Sequence, residues 1–557
     1  MALQILDMNL GGANYNPRSK AVAAQTTVNL FFETIENKEE GAKGKCAMYG
    51  MPGHIAKLNL TSIDAAATPF RGLWHGNGRV FVAGGTKYFE INSSYALVGS
   101  VRTIADDATH TPVQFIPNGN NQLLIVSAGV VYCDSGSGPV TISMAAATGT
   151  VDTSGTSVYW VSGDYFTPSM VGQNITINAV VYVVLAYVSP TQILIATTAG
   201  VQTGVAFSVT EPFGGVTGAY LGGYFLVNRN DINVRQFNWS VLNDGNQWNP
   251  LDFAQKESNP DPLRSILVHD AQLYLFGEET FEVWQNIVDS NGQPFQRING
   301  AGGNFGSISP WAPIAIEGRV YVLSMDTLGS LGAYVLNGFT PERISTYAEE
   351  AQWDTLNVGS GAISYSYREE GHTFWVLNFG TYAWAYDIGE RRWTQLQTYN
   401  TGTGQFGPFA DNYHAFVPTW GTGGMHLTGG TLSDTLYEAS VNIYTDGGFA
   451  KKWQRDLPYN YGNGGNNIYF GRMTLEMETG TGPASPEDTI SRQRSDDRGQ
   501  TFGTAQTAGI GVASDYSKRV YWPSGGASRD PVWRFTGVTS SKVALVNLIA
   551  EVDVGAS

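Results

Sequence analysis

Three groups of neighbouring carboxylates are the first candidates for chemistry in this chain of 557 residues: Glu278/Glu279/Glu282, Glu349/Glu350 and Glu369/Glu370. Two carboxylates can act as acid and base in glycoside hydrolysis, but only at a fixed separation across the scissile bond. Adjacency in sequence does not provide that separation. We therefore interpret these glutamates as solvated strand ends or turns.

A second candidate is the segment SDDRGQTF at 495–502, which matches the Asp-box pattern S-x-D-x-G-x-T-[WF]. In sialidases and other β proteins this box fixes a hairpin turn, because an aspartate carboxylate accepts backbone N–H groups. Sialidase chemistry would also need an arginine cluster, a tyrosine nucleophile and an acid. No such set of arginines is identifiable, so the box predicts a turn.

Metal and nucleotide sites find no support in the residue pattern. The histidines are scattered, with no HExxH motif, no i,i+4 pair and no cysteine nearby; they are His54, His75, His110, His269, His372, His414 and His426. The NDG segment at 243–245 lacks calcium-loop spacing and predicts a hairpin turn, and the glycine-rich stretch 421–424 lacks the lysine of a phosphate loop. We predict no catalytic, cofactor-binding or metal-binding residues and no enzymatic activity.

The composition indicates which elements would have to position any site. Only 14% of the residues are charged, 12% are aromatic and 67 are glycine, which excludes both disorder and long helices and favours a turn-rich, all-β protein. Cys46 and Cys133 are far apart, as expected for thiols in a reducing cytosol. No signal peptide is visible, and the longest apolar run, 179–188, is about half a membrane span, so no membrane anchor is expected.

Alternating apolar residues that end at glycines recur along the chain, a pattern typical of β-hairpins. Five of the six steps between successive hairpins lie between 41 and 54 residues, close to the roughly 40–50 residues of a propeller blade. The spacing predicts a β-propeller of six or seven blades. The hairpins are anchored at Val80, Leu123, Phe225, Leu273, Val320, Phe374 and Ala415.

The remaining step, of 102 residues, contains a blade and a surplus with its own composition. Residues 151–210 are rich in Thr, Val and Ser, and Asp152 and Asp164 are their only charged residues. We interpret them as a small inserted β domain, with an elaborated blade as the alternative. Long alternating strands follow in a β-sandwich-like domain at 461–557. Propeller blades are predicted at 66–150 and 211–460, after an N-terminal arm or irregular segment at 1–65 that is also a candidate for a closing strand.

Several segments together resemble the tail hub, or packaged-DNA stabilisation, proteins of short-tailed bacteriophages. The most specific is NDGNQWNPLDFA at 243–254, which continues to ESNPD at 257–261. The others are VNLFFE at 28–33 with MPG at 51–53, LYLFG at 273–277 with TFEVW at 280–284, and RDPVWRF at 529–535. The resemblance covers most of the chain except the insert, and its motifs are structural, so it implies a role and no active site.

The resemblance implies a β-propeller with added domains and a ring, usually of six copies, below the portal and its adaptor. Such a ring extends the DNA channel, helps a needle, plug, tailspike or fibre protein to retain packaged DNA, and guides ejection. It implies a protein of the virion tail that is made in the cytoplasm of the host bacterium. Other readings of the same pattern are a propeller adhesin that binds host surface glycans and a sialidase-like glycan depolymerase.

The net charge of −16 bears on the contact with DNA. Non-specific DNA binding depends on clustered Lys and Arg, so this chain is a poor candidate for gripping DNA. An acidic channel wall would instead repel DNA and keep it centred. The competing explanation is that acidic proteins are commonly soluble.

Overall fold

A computed structural model describes residues 4–12, 14–20, 22–35, 46–166, 170–212, 214–229, 234–287, 292–325, 329, 331–355, 361–459 and 467–554. The fold is all-β, as predicted, with 57% strand and 3% helix. Within the described ranges, the helices are an α-helix at Tyr347–Thr355 and a 3-10 turn at Leu60–Ser62, and none could cross a membrane. The chain forms two compact units, Met1–Val101 with Ser307–Ser557, and Arg102–Gly306.

The described residues contain seven groups of four antiparallel strands, which we number as blades 1 to 7; five of them are separate sheets, and blades 6 and 7 are parts of one 14-stranded sheet that also includes strands of the C-terminal region. Blades 1, 5, 6 and 7 belong to the first unit, apart from the end of the last strand of blade 1, and blades 2, 3 and 4 belong to the second. The strands are, for blade 1, Phe70–Gly76, Arg79–Gly84, Lys87–Ile91 and Leu97–Thr103; for blade 2, Gln114–Pro117, Leu123–Ser127, Val130–Asp134 and Pro139–Thr141; for blade 3, Gly218–Leu221, Tyr224–Asn228, Gln236–Val241 and Asp244–Gln255; for blade 4, Leu263–His269, Gln272–Gly277, Phe281–Gln285 and Gln296–Gly303; for blade 5, Ile314–Ile316, Arg319–Met325, Leu331–Asn337 and Thr340–Arg343; for blade 6, Ile363–Glu369, His372–Asn378, Ala383–Asp387 and Arg392–Leu396; and for blade 7, Tyr413–Val417, Met425–Gly429, Thr435–Ser440 and Gly53–Asn59.

Burial within a blade follows the position of the strand. The second strands Leu123–Ser127 and His372–Asn378 are almost continuously buried, whereas the last strand of blade 5, Thr340–Arg343, is fully exposed. A strand covered on both faces must be apolar throughout, and an outer strand need not be. Six of the seven predicted hairpins therefore lie at the centres of blades, while the seventh, anchored at Ala415, begins in the first strand of blade 7. The prediction of propeller blades is confirmed.

A closed six-stranded barrel lies in the chain between blades 2 and 3, where the small β insert was predicted. Its core is largely aliphatic, with Val151, Val158, Ile175, Ile193 and Val209 among its buried residues. Closure pairs every strand on both sides, so the barrel has no free sheet edge. The strands are Ser143–Ser154, Ser157–Gly163, Asn174–Ile177, Val180–Ser189, Gln192–Ile195 and Val201–Pro212.

The C-terminal region forms a β-sandwich with strands from the N-terminus. Aromatic side chains such as Trp453, Phe470 and Trp533 fill its core. One sheet contains Leu30–Thr34, Cys46–Gly50, Ala544–Val554, Ile468–Met477 and Val520–Trp522, with Gln4–Asp7 and Gly526–Ser528 at its sides; the other contains Phe449–Asp456, Val532–Thr539, Thr489–Ser495 and Gln506–Gly509. The short strands Thr26–Val28, Thr398–Asn400, Gln405–Gly407 and Thr445–Asp446 complete the described elements.

Candidate functional site

The fourth strand of blade 7 comes from the other end of the propeller sequence. Gly53–Asn59 pairs antiparallel with Thr435–Ser440, so a strand from the N-terminal segment completes the last blade. Gly53 is required at the entry of this strand, because a Cβ there would overlap the backbone carbonyls of Ile443 and Thr445. A blade completed in this way depends on whatever holds the incoming strand in place.

A largely buried ionic group holds that strand; we call His54, Asp411, Asp446 and Lys451 the His54 cluster. The imidazole of His54 lies between two carboxylates, with Nε2 2.8 Å from Asp411 Oδ2 and Nδ1 2.8 Å from Asp446 Oδ1. Lys451 Nζ donates to the carbonyl oxygens of Met51 and, at 2.6 Å, of Pro52. The cluster thus fixes both the backbone before the strand and its second side chain.

The charges of the cluster follow from its surroundings. Burial alone lowers the pKa of His54, but the Asp411 and Asp446 carboxylates outweigh burial and raise it to about 10. Burial raises the pKa of Asp446, but Lys451 and His54 overcome this and hold it below its usual value. His54 is therefore an imidazolium whose two N–H groups both donate, and it has no lone pair with which to accept a proton.

Aromatic and histidine side chains line a small cavity of about 40 Å³ beside the cluster. His414 Nε2 lies 2.9 Å from His426 Nδ1, and burial together with His426 lowers the pKa of His414 to about 3. Burial raises the pKa values of Tyr365 and Tyr367 well above the usual range. These groups keep their protons fixed near neutral pH and are unsuited to general acid–base catalysis.

The chemistry of this site is therefore ionic cross-linking of strands. Buried charges persist in a protein only when they are paired and hydrogen-bonded, as they are here. In the described ranges, no group of three His, Cys, Asp or Glu side chains is placed to hold a metal ion. The His54 cluster therefore connects the N-terminal strand Gly53–Asn59 to residues 411, 446 and 451, which follow the other strands of the propeller in the sequence or lie between them.

A second buried network lies in the segments that carry the phage-family resemblance, in blade 4 and the linker before it. Lys256 Nζ, fully buried, donates to the carboxylate of Asp261 and the hydroxyl of Thr280. Asp261 Oδ2 also accepts the N–H groups of Glu279 at 2.9 Å and Thr280 at 3.1 Å. Burial raises the pKa of Asp261, but Lys256, the N–H group of Glu279 and the hydroxyl of Thr280 overcome this and lower it.

Glu282, on the third strand of blade 4, also bonds to the linker and to its own strand. Its Oε1 accepts the hydroxyl of Ser258 at 2.5 Å, and its Oε2 accepts Trp284 Nε1 at 3.1 Å. The ESNPD and TFEVW segments, which both contribute to the family resemblance, are thus hydrogen-bonded to each other in the folded chain. Beside them lies an open cavity of about 430 Å³, whose lining includes Asn259 and Arg297.

The turns predicted from sequence are present in the structure. Asp497 of the Asp box accepts the N–H of Thr501 at 2.8 Å and the hydroxyl of Ser495 at 2.6 Å, and these bonds lower its pKa to about 2. The Asp box lies between the paired sandwich strands Thr489–Ser495 and Gln506–Gly509, so its role here is that of a structural turn. Asn243, with a φ of 58°, lies in the hairpin turn between the last two strands of blade 3.

The interpretation of the paired carboxylates as solvated was wrong for two of them. Glu282 and Glu349 are buried, at 0% and 1% exposure. Glu349 caps the α-helix by accepting the N–H of Thr346 at 2.9 Å, and burial raises its pKa to about 7. The T-x-x-E pattern at 346–349 is a capping box that sequence reasoning missed.

The His54 cluster was also missed, and here the sequence offers little signal. His54 is 357 positions from Asp411 in the numbering and 392 from Asp446. No local spacing rule connects residues so distant. Of the scattered histidines, the structure brings His414 and His426 together across one hairpin and pairs His372 with Asp387 at 2.6 Å.

Four-stranded blades, a closed barrel and a sandwich define a multidomain β-propeller protein. Two family models match: one described as bacteriophage P22 Gp10, beta-propeller, at residues 183–422, and one described as bacteriophage P22 Gp10, beta-sandwich, at residues 452–553. Together they cover more than half of the sequence. The chain belongs to the P22 Gp10 family, the tail hub family of short-tailed phages, and is a structural protein of the phage virion.

Likeness to solved structures is weak. A computationally designed protein, Ika8, is 10% identical and covers 67% of this chain and 96% of its own, with a TM-score of 0.31. Hsv2 from Kluyveromyces lactis is 11% identical, with 59% and 97% covered and a TM-score of 0.26. An exo-beta-1,3-galactanase from Phanerochaete chrysosporium is 8% identical, with 90% and 99% covered and a TM-score of 0.24. Such values carry no functional argument, and no curated protein matches the sequence.

Proposed function

We propose that this chain forms a ring, the hub or nozzle of a short phage tail, which extends the DNA channel below the portal and its adaptor. The observation that carries the proposal is the match of both the propeller and the sandwich of P22 Gp10 to this chain. Six copies, contact with the adaptor, and contact with a needle, plug, tailspike or fibre protein are the assembly that the family resemblance implies.

The role of the ring is to help retain packaged DNA and to guide it during ejection. DNA must pass the wall quickly, so the wall should not bind phosphate groups. A net charge of −16 supports a wall that repels DNA and keeps it centred. If the Asp and Glu side chains of the assembled ring lie mainly on its outside, this part of the proposal fails.

We infer a non-enzymatic role from the same family membership and from the chemistry of the buried sites. His54 is held as an imidazolium between two carboxylates, and Glu282 is enclosed by donors. Both arrangements fit the fixing of strands. Release of sugar from host envelope by the purified chain would contradict this inference.

The proposal is tested by negative-stain microscopy of the full chain mixed with the portal–adaptor complex. We expect a ring of uniform stoichiometry on the adaptor, and none when the portal–adaptor complex is replaced by the portal alone. A chain that stays monomeric and does not join the adaptor would contradict the proposal. Virions assembled without the chain should lose packaged DNA on storage.

A propeller adhesin is the second candidate, and exposed aromatic residues support it. Tyr347 and Tyr516 are 76% and 74% exposed, and an exposed ring offers a face on which a sugar can stack. The test is a glycan array probed with the wild-type chain and with Tyr347→Ala and Tyr516→Ala. Binding lost in either variant would favour the adhesin over a purely structural role.

A further inference from the structure

The linker between blades 3 and 4 carries a lysine and an aspartate whose side chains meet in the protein interior. Lys256 directly follows the strand Asp244–Gln255, and Asp261 lies five positions further along the chain. The two side chains are 0% and 6% exposed, and Lys256 Nζ donates to Asp261 Oδ1. A lysine amine is a nucleophile once it has lost its proton. The nucleophile and the carboxyl carbon that an amide bond would join are therefore already in contact.

The two oxygens of the Asp261 carboxylate have different partners. Oδ2 accepts the backbone N–H groups of Glu279 at 2.9 Å and Thr280 at 3.1 Å. Two backbone donors on one carboxyl oxygen stabilise the negative charge that forms there when a nucleophile adds to the carbon. Oδ1 instead accepts from Lys256 Nζ and from the hydroxyl of Thr280. Oδ2 is thus placed to carry the charge, and Oδ1 is placed to receive protons and leave as water.

The hydroxyl of Thr280 connects the nucleophile to the leaving oxygen. Its Oγ1 accepts from Lys256 Nζ and donates to Asp261 Oδ1 at 2.9 Å. A hydroxyl that accepts from one reacting atom and donates to the other can pass a proton between them. Removal of water during amide formation requires that transfer from nitrogen to oxygen.

The surroundings of the pair favour a neutral product. Gly277 allows the close approach, because a Cβ there would overlap the Asp261 carboxylate and crowd Lys256 Nζ. In water, the hydration of an ammonium and a carboxylate opposes their condensation, and burial removes most of that hydration. Thr280 also lines the open cavity of about 430 Å³, through which a released water molecule can leave.

We propose that Lys256 Nζ and Asp261 Cγ condense after folding to an intramolecular amide, an isopeptide bond. The ammonium passes one proton to Oδ1, and the resulting amine adds to Cγ while Oδ2 takes up the negative charge. A second proton passes from Nζ through Thr280 Oγ1 to Oδ1. The Cγ–Oδ1 bond then breaks, one water molecule leaves, and Oδ2 becomes the amide oxygen. The reaction consumes no oxidant and no co-reactant.

The bond would close a covalent ring in the linker that carries the ESNPD segment. An ion pair is broken when acid protonates the carboxylate, whereas an amide is not. The lowered pKa of Asp261 keeps the pair charged in the newly folded chain, so the bond forms slowly and accumulates with time. This inference goes beyond the proposed function and does not depend on ring assembly.

Peptide mass spectrometry of the full chain tests the bond directly. Trypsin cuts an unmodified chain after Arg235, Lys256 and Arg264, which releases the peptides 236–256 and 257–264. Trypsin does not cut after an acylated lysine. The chain is digested after denaturation, at intervals after purification, until the ratio of the peptides no longer changes.

We expect most chains to yield a single peptide 236–264 that is lighter than its sequence by about 18 Da, the mass of one water molecule. Separate peptides of full mass, or an uncut peptide of full mass, would overturn the proposal. A succinimide at Asp244 also loses water, but it leaves Lys256 open to trypsin. A mass loss confined to the peptide 236–256 would therefore overturn the proposal as well.

Two substitutions test the assigned roles. Lys256→Arg keeps a cation beside Asp261 but supplies no lysine amine, so we expect complete cutting at position 256 and no loss of mass. Thr280→Val should slow formation of the bond by about tenfold or more, and Thr280→Ser, which keeps the hydroxyl, should restore it. Circular dichroism checks that all variants fold. A loss of water that persists in Lys256→Arg, or equal rates in wild type and Thr280→Val, would overturn the proposed reaction.

Discussion

Replacing His54 by alanine should destabilise the N-terminal strand of blade 7 more than any surface histidine substitution. The change leaves the carboxylates of Asp411, 4% exposed, and Asp446, 26% exposed, without their shared cation. Breaking a buried ion pair by removing one partner costs about 3–5 kcal/mol. The two carboxylates also raise the pKa of His54 from 6.5 to about 10, so the imidazolium is the form that the alanine substitution removes at neutral pH.

The pH dependence follows from the sign of that rise. The pKa of His54 in the folded chain lies above its value in the unfolded chain, so the folded state binds the proton more tightly. The stabilisation is complete below pH about 6.5, declines as the pH rises, and is lost by pH about 10. The wild type should therefore lose stability relative to His54→Ala across this window.

Scanning calorimetry and hydrogen exchange of residues 53–59 measure the effect globally and locally. We expect His54→Ala to lower Tm by on the order of 5–10 °C and to speed exchange in this strand. The matched control is His110→Ala, because His110 makes a similar 2.8 Å contact with Asp106 but is 43% exposed. Equal effects of the two substitutions, or a difference between wild type and His54→Ala that does not change between pH 7 and 10, would refute the reasoning.

Three further predictions concern the other unit, the sandwich and the thiols. Asp261→Asn leaves the buried Lys256 ammonium without a carboxylate and should cost about 3–5 kcal/mol in calorimetry, whereas Asp270→Asn, 76% exposed, should cost little. Asp497→Ala removes the acceptor in the Asp-box turn, so amide exchange at 499–501 should accelerate while Tm stays unchanged. Burial raises the pKa of Cys133 to about 12, so a thiol reagent at pH 8 should modify it only after denaturation, and rapid native labelling would contradict this.

Local pattern predicted the repeating part of the fold. The alternation at 79–91 and 272–284 is a property of a few consecutive residues, and it appears in the structure as the hairpins at the centres of blades 1 and 4. The same applies to Asp497 and the NDG turn, whose hydrogen bonds join residues only a few positions apart. Local chemistry of this kind needs no knowledge of the rest of the chain.

Sequence reasoning failed to predict which carboxylates are buried. Glu282 looked like a solvated strand residue, but the linker that carries Ser258 covers it and supplies its donors. Whether a carboxylate faces water depends on what packs above it, and adjacent glutamates in a strand or helix carry no such information. Glu349 was predictable from its capping box, because that bond is local.

The sequence by itself determined an all-β, acidic chain of propeller blades with a low-charge insert and a C-terminal sandwich, since composition and two-residue alternation set these properties within short segments. Tertiary structure alone decided that residues 53–59 complete blade 7 and that His54 meets Asp411 and Asp446. The physical reason is that the low-dielectric interior gives these charges their strength, and only the folded chain brings residues more than 350 positions apart into it.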